Sequence, residues 1–136
     1  LREAYRRLSD RYVPGDTVVV TTSLGLAGRL ANEVLGVPLA TAHLQPSVLW
    51  SVADPPAGVP RWLPPPVRRL AYRAVDRLLI GRVITPTVNR FRAELGLPPV
   101  RRLWAGWKDS PQRQLALFPR WYADAPDWPA ALRQTG

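Results

Sequence analysis

The stretch from Asp16 to Leu44 constrains this chain most. "DTVVVTTS" is rich in β-branched residues and bounded by turn chemistry, so it reads as a buried strand. "SLGLAGRLANEVLG" follows, with Leu24, Ala27, Leu30, Ala31, Val34 and Leu35 on one helical stripe. Ser23 stands at the N-cap position and Gly36 where such a helix stops. "VPLATAHL" is a second apolar strand. Strand, helix and strand in that order make a βαβ unit, whose strands are parallel and whose connection is right-handed. Both strands are almost continuously apolar, which predicts a sheet covered on both faces.

The remaining elements extend that unit. "LREAYRRLSDRY" spaces Leu1, Tyr5, Leu8 and Tyr12 as an amphipathic helix, and Pro14 and Gly15 end it. "VRRLAYRAVDRLLIGRV" puts Val67, Leu70, Ala71, Ala74, Val75, Leu78 and Leu79 on one helical face, with Arg68, Arg69, Arg73 and Arg77 on the flanks and far side. "TPTVNRFRAELGL" is a second helix with Val88, Phe91 and Leu95 inward and Gly96 as a stop; one long helix kinked at Pro86 fits equally well. A short strand runs from Leu115 to Phe118, and Pro119 ends it. The fold class is therefore α/β: a partial Rossmann-like parallel sheet of about three strands with flanking helices, in one domain over residues 1–136. So thin a sheet has exposed edges that need further strands or a partner. The chain begins at Leu1, contains no methionine and ends on "RQTG" without a closing element, so it is expected to be a piece of a longer protein.

Several functions are excluded by residue type. With no cysteine there are no disulfides and no thiolate metal sites. One histidine and ten scattered carboxylates give no metal cluster. Gly25 and Gly28 have the wrong spacing for a G-x-G-x-x-G phosphate loop, and no G-K-[ST] occurs. No apolar run is long enough to span a bilayer, and the N-terminus lacks a signal-peptide core. The net charge of +9, carried by arginines and the single lysine Lys108, favours anionic partners. Helix 67–82, with Trp62 and Tyr72 interleaved, could grip phosphates or rest on acidic lipid, although no nucleic-acid reader motif is present.

The candidate site is the mixed stretch "TAHLQPSVLWSVADPP" after the second strand. Ligands in open parallel sheets bind beyond the carboxyl ends of strands. That location holds Thr22, Ser23 and Leu24 from one loop and His43 to Ser51 from the next. Val48, Leu49 and Trp50 offer an apolar wall, while His43, Gln45, Ser47 and Ser51 offer directed hydrogen bonds. Such a cleft suits an amphipathic or hydroxyl-bearing molecule. A serine nucleophile would have only His43 as its base, and there is no G-x-S-x-G elbow.

The run from Thr21 to Pro56, with "NRFRAELGLPPVRRLW", "DSPQRQLALFPRWYA" and "DAPDWP" after it, resembles the N-terminal domain of GT-B glycosyltransferases. It looks most like the branch that holds rhamnolipid- and sterol-type enzymes. The resemblance implies the second half of the acceptor-binding domain, with the C-terminal donor-binding domain absent. It implies transfer of a sugar from a nucleotide-sugar to the hydroxyl of a small-molecule or lipid acceptor without a metal, the nucleotide-sugar being held by the C-terminal domain. This chain would then carry no cofactor of its own, supply acceptor-binding residues Ser23, Leu24, His43, Gln45, Ser47, Trp50 and Ser51, and be inactive alone. The family's catalytic histidine follows the first strand of the domain, outside this chain, so His43 does not inherit its role. Thr22 occupies the position of the base-orienting aspartate of relatives, and a neutral hydroxyl cannot stabilise an imidazolium as a carboxylate does. The protein is expected to be cytoplasmic, with the basic helix and the proline-tryptophan loop able to rest on the inner membrane face, which suits a lipid acceptor, and nucleic acid is disfavoured as a partner because no reader motif is present. The rival reading is a non-enzymatic basic module that binds acidic membrane or nucleic acid.

Overall fold

The computed structural model describes residues 1–56 and 58–135. It is a mixed α/β fold built on four parallel strands, β1 (Val19–Thr22), β2 (Leu39–His43), β3 (Arg113–Ala116) and β4 (Leu132–Gln134), ordered β1-β2-β3-β4. Val19 pairs with Leu39, Ala40 with Arg113 and Gln114 with Leu132. The sheet is a partial Rossmann-like one with one strand more than the three the sequence indicates. β4 is only three residues long, too short for alternation to register, and lies in the terminal stretch read as having no closing element. β3 also begins two residues earlier than its apolar run, because Arg113 and Gln114 pair with β2 despite their polarity.

The helices are α1 (Arg2–Arg11), α2 (Leu26–Leu35), α3 (Pro65–Ala74), α4 (Gly81–Val83), α5 (Thr85–Glu94) and α6 (Leu103–Gly106). Between α3 and α4 the chain stays helical but widens into a π segment, Val75–Ile80. The Val88 N–H bonds the Ile84 carbonyl across the α4–α5 joint, so residues 65–94 form one continuous helical rod. Tyr5, Ala27, Leu30, Val88, Phe91 and Leu103 pack with Val19 and Leu39 into the main core. Tyr5 meets Phe91 edge to face at 5.4 Å.

Two glycines set how closely α2 lies on the sheet. A Cβ on Gly28 would stand 2.4 Å from Thr21 Cγ2, and one on Gly25 2.4 Å from Thr21 Cβ. These glycines bring helix and strand together. Gly36 ends α2 at φ 71°, a left-handed conformation suited to glycine. Ser23 does not cap the helix; Gly25 is the N-cap residue and no side chain caps it.

All crossovers advance in one direction, from β1 to β4. Right-handed connections therefore put the whole helical layer on one face. Alternation follows: Val19, Ser23, His43, Gln114 and Ala116 are buried under that layer. The opposite face carries Val18, Val20, Leu44 and Leu117, exposed by 67, 63, 65 and 48%. The expectation of a sheet covered on both faces thus holds for one face only among the described residues.

The rod also turns an unexpected side inward. Arg68, Tyr72 and Asp76, four residues apart, face the protein. Arg68 donates to the carbonyls of Leu63 at 2.7 Å, Arg61 at 2.6 Å and Val52. Leu70, Leu78, Leu79 and Val83 stay 57–71% exposed. Polar anchoring of the long loop has displaced the apolar stripe from the core.

Candidate functional site

Parallel register sets Ser23, just after β1, beside His43 at the end of β2, and Gln114 of β3 faces the same side of the sheet, which joins the three in a chain of hydrogen bonds. Ser23 Oγ lies 2.7 Å from His43 Nδ1, and His43 Nε2 lies 3.2 Å from Gln114 Oε1. The Gln114 amide nitrogen donates to the Ser110 carbonyl at 3.2 Å, which fixes the amide so that Oε1 accepts. The His43 proton therefore sits on Nε2, and Nδ1 accepts the Ser23 hydroxyl. His43 is wholly buried, and its pKa is lowered. Desolvation is the main cause; the Asp109 charge and the Gln114 hydrogen bond oppose it, and Lys108 adds to it. The imidazole is thus kept neutral, and with a neutral amide as its orienter it holds the serine hydroxyl rather than ionising it. Ser23 is 5% exposed, so little of this chain of bonds reaches solvent.

The other sequence-derived candidates separate. Leu24 is 69% exposed and lines a cavity of about 460 Å³ with Gly25, Ala27, Val83, Ile84 and Val88. Thr22 at the end of β1, Gln45 and Ser47 are exposed. Trp50 stacks on Tyr72 at 5.1 Å with 21° between ring planes and lies 6.0 Å from Trp104. Ser51 is fully buried, and its hydroxyl is taken up by Asp127 at 2.5 Å. Asp127 also accepts the N–H groups of Val52 at 2.6 Å and Ala53 at 3.3 Å. Desolvation pushes the Asp127 carboxyl up, but these hydrogen bonds together outweigh it and the pKa ends below the ordinary range. Ser51 and Asp127, with the Tyr72 hydroxyl on the Ser51 carbonyl at 2.8 Å, tie the proline-rich loop to the body.

A second group, unmarked in the sequence reading, lies beside Gln114. Trp104, Lys108 and Asp109 line a cavity of about 130 Å³ whose other wall is Val48, Leu49 and Trp50. Lys108 Nζ pairs with Asp109 Oδ2 at 2.6 Å and sits 4.8 Å from the Trp104 ring centroid. Lys108 is 3% exposed, and its pKa is lowered, first by desolvation, with the Asp109 charge and hydrogen bond opposing. The one signal available was Lys108 itself, the only lysine, flanked by tryptophan and aspartate.

Among the described residues no set of three or more histidines, cysteines, aspartates or glutamates could hold a metal ion, and no helix is long and apolar enough to cross a membrane. No protein-family model and no curated protein matches the chain.

Proposed function

We propose that this chain is the acceptor-side part of a glycosyltransferase that moves a sugar from a nucleotide-sugar to an acceptor hydroxyl. The observation that carries the reading is the one-directional sheet. Its four parallel strands run one way, its helices cover one face, and β1 leaves a free edge beside the bare face. In a doubly wound sheet the helices change face where strand order reverses, and ligands bind in the crevice there. β1 is the strand at which that reversal would occur, and Ser23 and Leu24 stand at its carboxyl end beside the cavity of about 460 Å³. An acceptor in that crevice would meet the Leu24 wall and the exposed hydroxyl of Thr22, while Ser23 stays bonded to His43.

A base supplied outside this chain would take the acceptor proton. The freed oxygen would form a bond to the anomeric carbon as the bond to the departing nucleoside diphosphate breaks. No residue described here is assigned as that base. Nucleoside diphosphate release by the full-length protein, with a panel of nucleotide-sugars and alcohols, tests the reading. Acceptor-dependent release that falls about tenfold or more in Leu24→Asp is expected, since the charge would enter an apolar wall. Release that ignores Leu24 would overturn the acceptor assignment. This chain alone is expected to give no transfer.

A second reading, a basic module seated on acidic membrane, is favoured by the exposed stripe of Leu70, Leu78, Leu79 and Val83 beside Arg69, Arg73 and Arg77. Flotation with acidic but not neutral vesicles supports it, and equal binding to both removes its electrostatic part. Steeply salt-dependent binding to random duplex DNA would instead favour nucleic acid.

A further inference from the structure

Three arginines meet at a cavity between the rod and α6. Arg73 and Arg77 follow the inward-facing Tyr72 and Asp76 by one residue each, so they stand one step round the rod. Asp76 accepts the N–H groups of Trp104 at 3.0 Å and Ala105 at 3.3 Å. Those two bonds dock the start of α6 on the rod and set Arg102, which immediately precedes α6, beside the two rod arginines. The three arginines and Asp76, with Leu70 and Ala105, line a cavity of about 280 Å³. It shares no residue with the cavity beside Leu24.

The charge at this cavity is unbalanced. Among the described residues, Arg73, Arg77 and Arg102 take part in no salt bridge, whereas Arg29 and Arg92 are both paired with Glu33. Asp76 is the one carboxylate in the lining. It is 2% exposed and gives one oxygen to each of the two backbone N–H groups. Three guanidinium charges against one carboxylate leave a net charge of two, on arginines that are all exposed to an incoming ligand. A phosphate monoester carries about −1.5 to −2 near pH 7 and presents three acceptor oxygens, one for each guanidinium. A carboxylate brings less charge and only two oxygens. Leu70, 66% exposed, and Ala105 give the carbon side of the ester an apolar contact. The volume lies just under the roughly 300–1,000 Å³ of drug-sized sites, which suits a phosphate with a short organic substituent.

We propose that this cavity binds a phosphate monoester through Arg73, Arg77 and Arg102. The site is independent of the glycosyl-transfer reading. Soluble esters and lipid headgroups both carry this group, and two measurements separate them. Calorimetric titration of the chain with glycerol phosphate at low salt and about pH 8 should give saturable binding, with acetate about tenfold weaker or more. Flotation uses phosphatidylcholine vesicles doped with phosphatidic acid. Arg73→Gln, Arg77→Gln and Arg102→Gln should each weaken binding by about fivefold or more. Arg69→Gln and Arg90→Gln remove the same charge from exposed positions outside the cavity and should change it by less than about twofold. All five side chains are exposed, so loss of fold does not confound the comparison. Vesicle capture that falls in the three cavity variants identifies a headgroup; titration without capture identifies a soluble ester. Binding of neither probe, acetate as good as glycerol phosphate, or equal losses in Arg69→Gln and Arg102→Gln would overturn the site, the last by showing that net charge alone attracts anions.

Discussion

His43 is the only histidine, so acid titration of the fold above the carboxylate range isolates one buried group. Its neutral form is what the fold accepts: Nδ1 receives the Ser23 hydroxyl and Nε2–H donates to Gln114. Protonation would put a second hydrogen on Nδ1, against that hydroxyl, and a positive charge in a fully buried position. The folded pKa accordingly lies below the ordinary 6.5, with desolvation as the chief cause. The sign follows. Between the folded value and 6.5 the unfolded chain binds the proton and the folded chain does not, so stability is complete above about pH 6.5 and falls as pH drops towards the folded pKa. One proton limits the slope to about 1.4 kcal/mol per pH unit. Urea unfolding measured from about pH 8 to about pH 5 should give a flat region and then that decline. His43→Gln retains an acceptor for Ser23 and cannot titrate, so its profile should stay flat across the same window. The carboxylates are separated from this effect: Asp127, held below its ordinary value of 3.8, contributes only at lower pH. An equal decline in His43→Gln, or stability that rises as pH falls below 6.5, would refute the argument that a neutral imidazole is built into the sheet.

Two further outcomes test how the elements are held. Gly28→Ala should lower stability by about 1–3 kcal/mol in urea, despite a gain of up to about 1 kcal/mol in helix propensity, because its Cβ would meet Thr21 Cγ2 at 2.4 Å. Adding Thr21→Ser removes that methyl and should recover most of the loss; a Gly28→Ala chain more stable than the parent would mean that α2 does not lie on β1 in this register. Arg68→Met should cost at least about 2 kcal/mol and make the bond after Arg61 a preferred site of limited trypsin cleavage, since the carbonyls of Val52, Arg61 and Leu63 lose their charged donor. Unchanged proteolysis would show that Ser51, Asp127 and Tyr72 hold the loop without Arg68.

What the sequence makes legible is what repeats. β-Branched runs marked β1 and β2, the 3.6-residue stripe marked α2, and the left-handed glycines at 36 and 96 stand at the expected stops. α5 buries Val88 and Phe91 as its pattern requires. Where one long side chain replaced several apolar contacts, periodicity misled. Arg68 has a hydrophobic stem and donors enough for three carbonyls, so one residue outweighs the stripe of Leu70, Leu78 and Leu79 in deciding which way the rod faces. The π segment adds to this by shifting the stripe's phase at Val75–Ile80, which an assumed 100° step cannot follow.

The site follows the same division. Ser23 and His43 could be brought together from the sequence alone, because each follows or ends a strand of one βαβ unit and register does the rest. Gln114 could not, since it comes 71 residues after His43 and carries no periodic signal. Trp104 and Asp109 were less legible still, because the cavity they line draws its walls from three separate segments. Ser51 is the converse case, since a serine in a mixed loop reads as available until Asp127, 76 residues on, accepts its hydroxyl. A polar residue near a strand end is therefore a candidate by position, and it becomes a binding group only if the rest of the fold leaves it a free atom. By that criterion Ser51 is spent on structure and Ser23 is spent on His43.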